Sequence, residues 1–236
     1  MSVWYFYKKK VDIAILETGL GGRLDSVTCC DNNVLGYTNI DFDHQHILGN
    51  SIKKIAKEKA LAMVNSNQQI FSVPQHKNVK QLLNERAKEL NIKINITEQS
   101  KNKNKLRGEH QLINASLAEK IASSLMLSKF NKVTNKDIKK GLNKTVWPGR
   151  FQIIKKNPTV IYDVAHNQSA IDSFIKTAHS YFKNKTYKTK ILVCGFEKNK
   201  TIKRNLNQLT QMFDNIICTE TGMRKSMDCK KIANDF

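Results

Sequence analysis

At 236 residues with 40% hydrophobic content, the chain is long enough to bury a core in one large or two modest domains, and no apolar run approaches the roughly 20 residues that a membrane helix needs. The formal charge of +20 comes mostly from lysine rather than from the bidentate arginine that a sequence-specific DNA reader favours, so the charge is read as compositional and no nucleic-acid partner is expected. Five cysteines without CxxC spacing indicate neither a zinc site nor a disulfide framework, and the opening MSVWYFYKKKVD lacks the order of a secretory signal, which places the chain in the cytoplasm.

In chain order, VDIAIL (11–16) and NVLGYTNI (33–40) read as strands. SIKKIAKEKALAMV (51–64) reads as a helix capped by Ser51, QIFSV (69–73) as a strand and NVKQLLNERAKEL (78–90) as a helix. HQLINASLAEKIASSLML (110–127) is a long helix, and a shorter one starts at Thr134, where Thr134 and Asp137 form a candidate capping box. Trp147-Pro148-Gly149 punctuates the chain. A second series then follows: strands at FQIIKK and TVIYD, a helix over 168–183, a strand at KILVCG, a helix over 200–213 and a strand at NIICT. Short β-branched runs alternating with amphipathic stretches predict parallel strands with crossover helices, in two α/β units divided near 148.

The glycine-rich loop LETGLGGRLD (16–25) follows the first of these strands. It lacks the third glycine of a dinucleotide fingerprint, since Leu24 stands there, and no stretch of the chain has Walker A spacing. Glu17, at the carboxyl end of a predicted buried strand, is either a ligand for a cation or a turn-capping carboxylate. The loop IDFDHQHILG gathers Asp41, Asp43, His44 and His46 at the end of the next strand, a donor set suited to divalent cations. Lys59 falls on the helical face of Ile52, Ile55, Ala56 and Met63. A lysine turned inward pairs with an acid, loses its proton, is modified or snorkels out. In the second unit, TVIYDVAHN puts Asp163 at a strand end and His166 and Asn167 at a helix start, a place for ribose and phosphates or simply for an N-cap.

The ordered motifs ETGLGGRLD, IDFDHQHILG, IAKEKA, GEHQLINA, WPGRF and DVAHN resemble those of the folylpolyglutamate synthase and dihydrofolate synthase family, ATP-dependent amide ligases related to the Mur ligases. The resemblance implies an α/β fold: residues 1–148 as the C-terminal part of a Mur-ligase-type P-loop ATPase domain, and 149–236 as an incomplete Rossmann-like C-terminal domain. It implies ATP and Mg2+, with Glu17 and His44 as magnesium ligands and Lys59 as a carbamylated lysine beside the metals. Glu17, His44 and Lys59 are therefore expected to converge on one site, in which His44 and Lys59 serve catalysis. Asn114, Arg150 and Asp163 match nucleotide contacts, His166 lies in the same motif, and Gly21, Gly22, Arg23 and Asp25 form a substrate-facing loop.

The implied reaction is phosphoryl transfer from ATP to a carboxylate of dihydropteroate or of a folate's glutamate tail, followed by attack of L-glutamate, in a monomer with no membrane partner. Family members carry a P-loop that these 236 residues lack, so the chain is expected to be a fragment that is inactive alone. The alternative is a non-catalytic remnant or a basic binding protein that keeps the fold. Two positions depart from the family pattern: Leu61 replaces a glycine, and Gln168 replaces the proline after the HN pair.

Overall fold

The computed structural model describes residues 1–30, 32–99, 104–127, 130–198, 203–222 and 225–236. Its contacts divide the chain into two compact units, one of Met1–Ile40 with His44–Asn95, the other of Asp41–Asp43 with Ile96–Phe236.

The first unit begins with a short helix, α1 (Ser2–Lys8), none of whose residues is buried. Strands β1 (Val34–Tyr37) and β2 (Gln69–Ser72) pair in parallel, Val34 opposite Gln69, and β3 (Ile94–Ile96) completes a sheet of order β1-β2-β3. Between β1 and β2 lie α2 (Gln45–Leu48) and α3 (Ile52–Ala60); α4 (Lys77–Glu89) follows β2. Ser51 caps α3 by accepting the Lys54 N–H, as its sequence predicts. One face of α3 (Ile55, Ala56, Ala60) and one of α4 (Val79, Leu83, Ala87) close over Ile70 in a shared core. The recurring step of four is the apolar stripe of an amphipathic helix.

The second unit holds α5 (Glu109–Met126) and α6 (Asn135–Lys144). The expected capping box forms at α6: the Thr134 hydroxyl accepts the Asp137 N–H, and the Asp137 carboxylate accepts the Thr134 N–H. Strands β4 (Gln152–Lys156) and β5 (Thr159–Tyr162) precede α7 (Gln168–Phe182), which Asn167 caps by accepting the Ala170 N–H. Then come β6 (Ile191–Cys194), a 3-10 turn (Lys203–Asn205), α8 (Leu206–Met212), β7 (Asn215–Cys218) and α9 (Cys229–Asp235). The predicted helix start near 200 lies outside the described residues. β6 and β7 are parallel, and Ile171 and Ile175 of α7, Leu209 of α8 and Ile232 of α9 pack in one core with Cys194 and Phe196.

Two expectations need correction. Residues 11–16 do not form a strand, and Ile13 and Ile15 are 47% and 88% exposed. A strand exists only through the ladder it shares with a neighbour, and among the described residues the sheet order β1-β2-β3 leaves this segment unpaired. Nor are all strands parallel: β4 and β5 are an antiparallel hairpin, with its register shifting between Ile153 and Lys155. A two-residue connection at Asn157-Pro158 suffices for antiparallel neighbours, whereas a parallel pair needs a long crossover.

Candidate functional site

In the first unit the glycine loop is fastened to the last turn of α3. A Cβ on Gly22 would lie 2.9 Å from the Glu58 carbonyl oxygen and 3.0 Å from that of Lys59, so only glycine lets the loop approach this closely. The Arg23 N–H donates to the Glu58 carbonyl at 3.1 Å, and the Arg23 Nε donates to the Glu58 carboxylate, also at 3.1 Å. Gly21 has a φ of +69°. Asp25 turns into its own loop: one carboxylate oxygen accepts the Gly19 and Leu20 N–H groups at 2.9 and 3.0 Å, the other the Val27 N–H at 2.9 Å. The hydrogen bond from Leu20, then that from Val27, holds the Asp25 carboxyl below its ordinary value of 3.8 against partial desolvation, with a smaller contribution from the Lys59 charge.

Lys59 is half-buried, at the rim of the face formed by Ile55 and Ala56. Its charge makes the smallest of the contributions that lower the Asp25 carboxyl. Glu17 is exposed, with no hydrogen-bond or ion-pair partner among the described residues, and its segment is not a buried strand end as predicted. His44 is exposed and left-handed at φ 50°, just before α2. Of the three, the open Glu17 carboxylate suits a hard divalent cation in donor chemistry, and Lys59 would do so only as a carbamate, since its ammonium offers no lone pair. Among the described residues, however, the His, Cys, Asp and Glu groups that bring three donor atoms within 4.8 Å of one another are Glu220, Asp228 and Cys229, not a set containing Glu17 and His44.

In the second unit Asp163 is the organising residue. One carboxylate oxygen accepts the Phe151 N–H at 2.8 Å, and the other accepts the Ala165 N–H at 2.8 Å. Two turns of the sequence, WPGRF and DVAHN, are thereby tied to one side chain. The Val164 N–H donates to the Gly149 carbonyl at 3.0 Å and tightens the same junction. Gly149 has a φ of +73°, and a Cβ there would meet Val164 Cγ1 at 2.6 Å. Phe151 is held at a φ of +43° and is 3% exposed. Between these anchored residues Arg150 is exposed, with no hydrogen-bond or ion-pair partner among the described residues, so its guanidinium is available to an anion.

The ring of His166 donates from Nδ1 to the Val164 carbonyl at 2.9 Å, which leaves Nε2 facing outward, 3.9 Å from an Asp43 oxygen. The Asn167 amide donates to the same Asp43 oxygen at 2.8 Å while its carbonyl caps α7. Directly after it, the buried Nε2 of Gln168 has no hydrogen-bond partner among the described residues. It is a donor with capacity for a ligand oxygen, at a position where the family pattern has a proline and no donor.

At the start of α5, Asn114 is exposed and donates to the Gln111 side chain at 3.4 Å. The Gln111 amide donates to His110 Nε2 at 3.0 Å, which places the ring proton on Nδ1. Burial lowers the His110 pKa below its ordinary 6.5; the Asp163 charge opposes that shift and the Arg150 charge adds to it. Asn114, Arg150, Asp163 and His166 thus lie in one unit, with His110 linking α5 electrostatically to Asp163 and Arg150. Reasoning from sequence did not single out His110, although it stands in GEHQLINA; its signal was the preceding Gly108, whose φ of +105° seats the chain against the His110 ring and Thr177. The bond from Asn167 to Asp43 spans 124 positions and carries no local sequence signal.

Residues 149–236 match the family described as Mur ligase, glutamate ligase domain. The chain is 29% identical over 199 residues to the dihydrofolate synthase/folylpolyglutamate synthase of Bacillus subtilis, covering 74% of this chain and 46% of that protein. It is 32% identical over 209 residues to the folylpolyglutamate synthase of Candida albicans, covering 80% and 40%. Among solved structures, the Mycobacterium tuberculosis folylpolyglutamate synthase complexed with ADP and AMPPCP matches with a TM-score of 0.83 at 24% identity, covering 98% of this chain and 57% of that one. Escherichia coli FolC in complex with DHPP and ADP gives 0.79 at 23%, covering 99% and 58%. The chain spans about half the length of the curated relatives it matches. Motif order, fold and the glutamate ligase domain over residues 149–236 agree, and the chain is similar to the folylpolyglutamate synthases and dihydrofolate synthases.

Proposed function

We propose that this chain carries the nucleotide-positioning and metal-holding half of an ATP-dependent ligase that joins L-glutamate to a carboxylate of dihydropteroate or of a folate's glutamate tail. The observation that carries this reading is the Asp163 clamp, which fixes WPGRF to DVAHN and leaves Arg150 exposed beside it. Arg150 supplies the cation for phosphate oxygens, Asn114 and Asp163 face the nucleoside, and His166 offers an outward ring nitrogen to the same ligand. Residues 149–236 act as the C-terminal domain and 1–148 as part of the ATPase domain, a reading that the family match over 149–236 supports, while the contact grouping joins α5 and α6 to the second unit.

Glu17 and His44, with Lys59 converted to its carbamate, would hold Mg2+, which supplies neutralisation of charge on the phosphoryl group in flight. The Lys59 charge contributes to lowering the Asp25 carboxyl, while Gly21, Gly22 and Arg23 set the path of the chain toward the acceptor. No stretch within these 236 residues supplies a Walker A loop, so the chain by itself binds nucleotide without turning it over.

Calorimetric titration of the chain with ADP and Mg2+ tests the reading. Binding that is lost in Arg150→Ala and retained in Lys144→Ala supports it; no binding, or binding indifferent to Arg150, overturns it. Carbamylation of Lys59 is checked by 13C resonances after exposure to labelled bicarbonate, and their absence from wild type returns Lys59 to a purely ionic role.

A further inference from the structure

Strands β6 and β7 run parallel with Cys194 directly opposite Cys218. Adjacent strands lie about 4.8 Å apart, within the range of about 4.4–6.8 Å between Cα atoms that a disulfide spans. Directly opposed residues of a parallel pair project from the same face, and Leu192, Cys194, Ile216 and Cys218 all belong to the core that Ile232 of α9 completes. The strand ends are already closely seated: Thr219 N–H donates to the Cys194 carbonyl at 2.8 Å, and a Cβ on Gly195 would come within 2.7 Å of the Thr219 carbonyl oxygen. Closure of a bond between the two sulfurs therefore needs little backbone travel.

The two thiols differ in their surroundings. Cys194 is 9% exposed, and burial first, then the neighbouring Cys218 thiol, pushes its pKa up to about 12. Cys218 is half-buried and so within reach of a small oxidant. The remaining thiols have other company: Cys30 donates to the Ser26 carbonyl, and Cys229 lies close to the carboxylates of Glu220 and Asp228.

We propose that Cys194 and Cys218 form a dithiol site that hydrogen peroxide closes to an intrachain disulfide. The Cys218 thiolate attacks a peroxide oxygen; an S–O bond forms, the O–O bond breaks, and the expelled hydroxide is protonated to water. The Cys194 sulfur then attacks the Cys218 sulfenic acid, the S–S bond forms as the S–O bond breaks, and the leaving hydroxide takes the Cys194 proton to give a second water. Two thiols have been oxidised by two electrons, and one peroxide has been reduced to two waters.

The test treats the intact chain with hydrogen peroxide, blocks remaining thiols with iodoacetamide and maps peptides without reduction. The expected result is a cross-linked peptide pair containing Cys194 and Cys218, two hydrogens lighter than the free peptides and restored by dithiothreitol. In Cys194→Ala the intermediate has no resolving partner, and dimedone should label Cys218. Alkylation of Cys194 and Cys218 as free thiols after peroxide, while Cys29, Cys30 or Cys229 are oxidised, overturns the proposal, as does a bridge from Cys218 to Cys229. The wild-type map decides the matter even if the alanine variant fails to fold.

Discussion

Replacing Asp163 by alanine removes both acceptors that hold WPGRF to DVAHN. Each backbone N–H bond to a carboxylate contributes about 1.5–3 kcal/mol net. Because Asp163 is half-buried, water reaches part of the exposed junction and reduces the loss. Phe151, released from its φ of +43°, recovers about 1 kcal/mol of backbone strain. The balance is a local destabilisation of about 2–3 kcal/mol, equivalent to a roughly 30- to 160-fold loss of amide protection at 1.36 kcal/mol per decade. Hydrogen exchange read at the Phe151 and Ala165 amides measures this directly, and Asp163→Asn, which keeps one oxygen, should lose about half as much in free energy. Unchanged protection at both amides in Asp163→Ala would show that the carboxylate does not hold the junction.

Three further outcomes are expected. Gly22→Ala should lift the glycine loop from α3, since the obstructing atoms are the backbone oxygens of Glu58 and Lys59, and cost about 1–3 kcal/mol in a urea titration; an unchanged midpoint refutes the close approach. His110 titrates below its ordinary 6.5 in the folded chain, so the unfolded chain binds the extra proton first: its contribution to stability is complete above about 6.5 and is lost as pH falls through the lowered value. A series of urea midpoints from pH 7.5 to 5 should fall on the acid side, with a shallower fall in His110→Gln. Thr134→Ala opens the capping box and should cost α6 about 1 kcal/mol, seen as faster exchange in its first turn; exchange as slow as wild type would remove the cap's role.

Helices were legible where a cap and an apolar stripe coincided, because both signals are local. Ser51, Thr134 with Asp137, and Asn167 each cap the helix that their side chains announced. Strands were legible only where a partner was present: NVLGY and QIFS find each other in β1 and β2, but the equally β-branched VDIAIL finds no ladder. The hairpin of β4 and β5 was hidden because composition does not distinguish an antiparallel neighbour from a parallel one. Of the candidate site, Arg150 and Asp163 were named from their motifs, whereas the pairing of Asn167 with Asp43 and the lowered pKa of His110 arise from chain segments far apart in sequence. Asp25 was read as substrate-facing, yet its carboxylate is occupied by three backbone N–H groups, a role that depends on a loop conformation rather than on residue type.

The unladdered opening segment has a colloidal consequence. Trp4, Tyr7 and Ile15 are 63%, 77% and 88% exposed, and such side chains adhere to one another when two copies meet. What opposes that adhesion is the long-range repulsion of molecules that each carry a formal charge of +20. Salt shortens the reach of that repulsion from about 30 Å at 0.01 M to about 3 Å at 1 M while leaving apolar attraction intact. Preparations of this chain should therefore stay clear in dilute buffer and turn turbid as ionic strength rises, the reverse of the salting-in usual for dilute protein solutions.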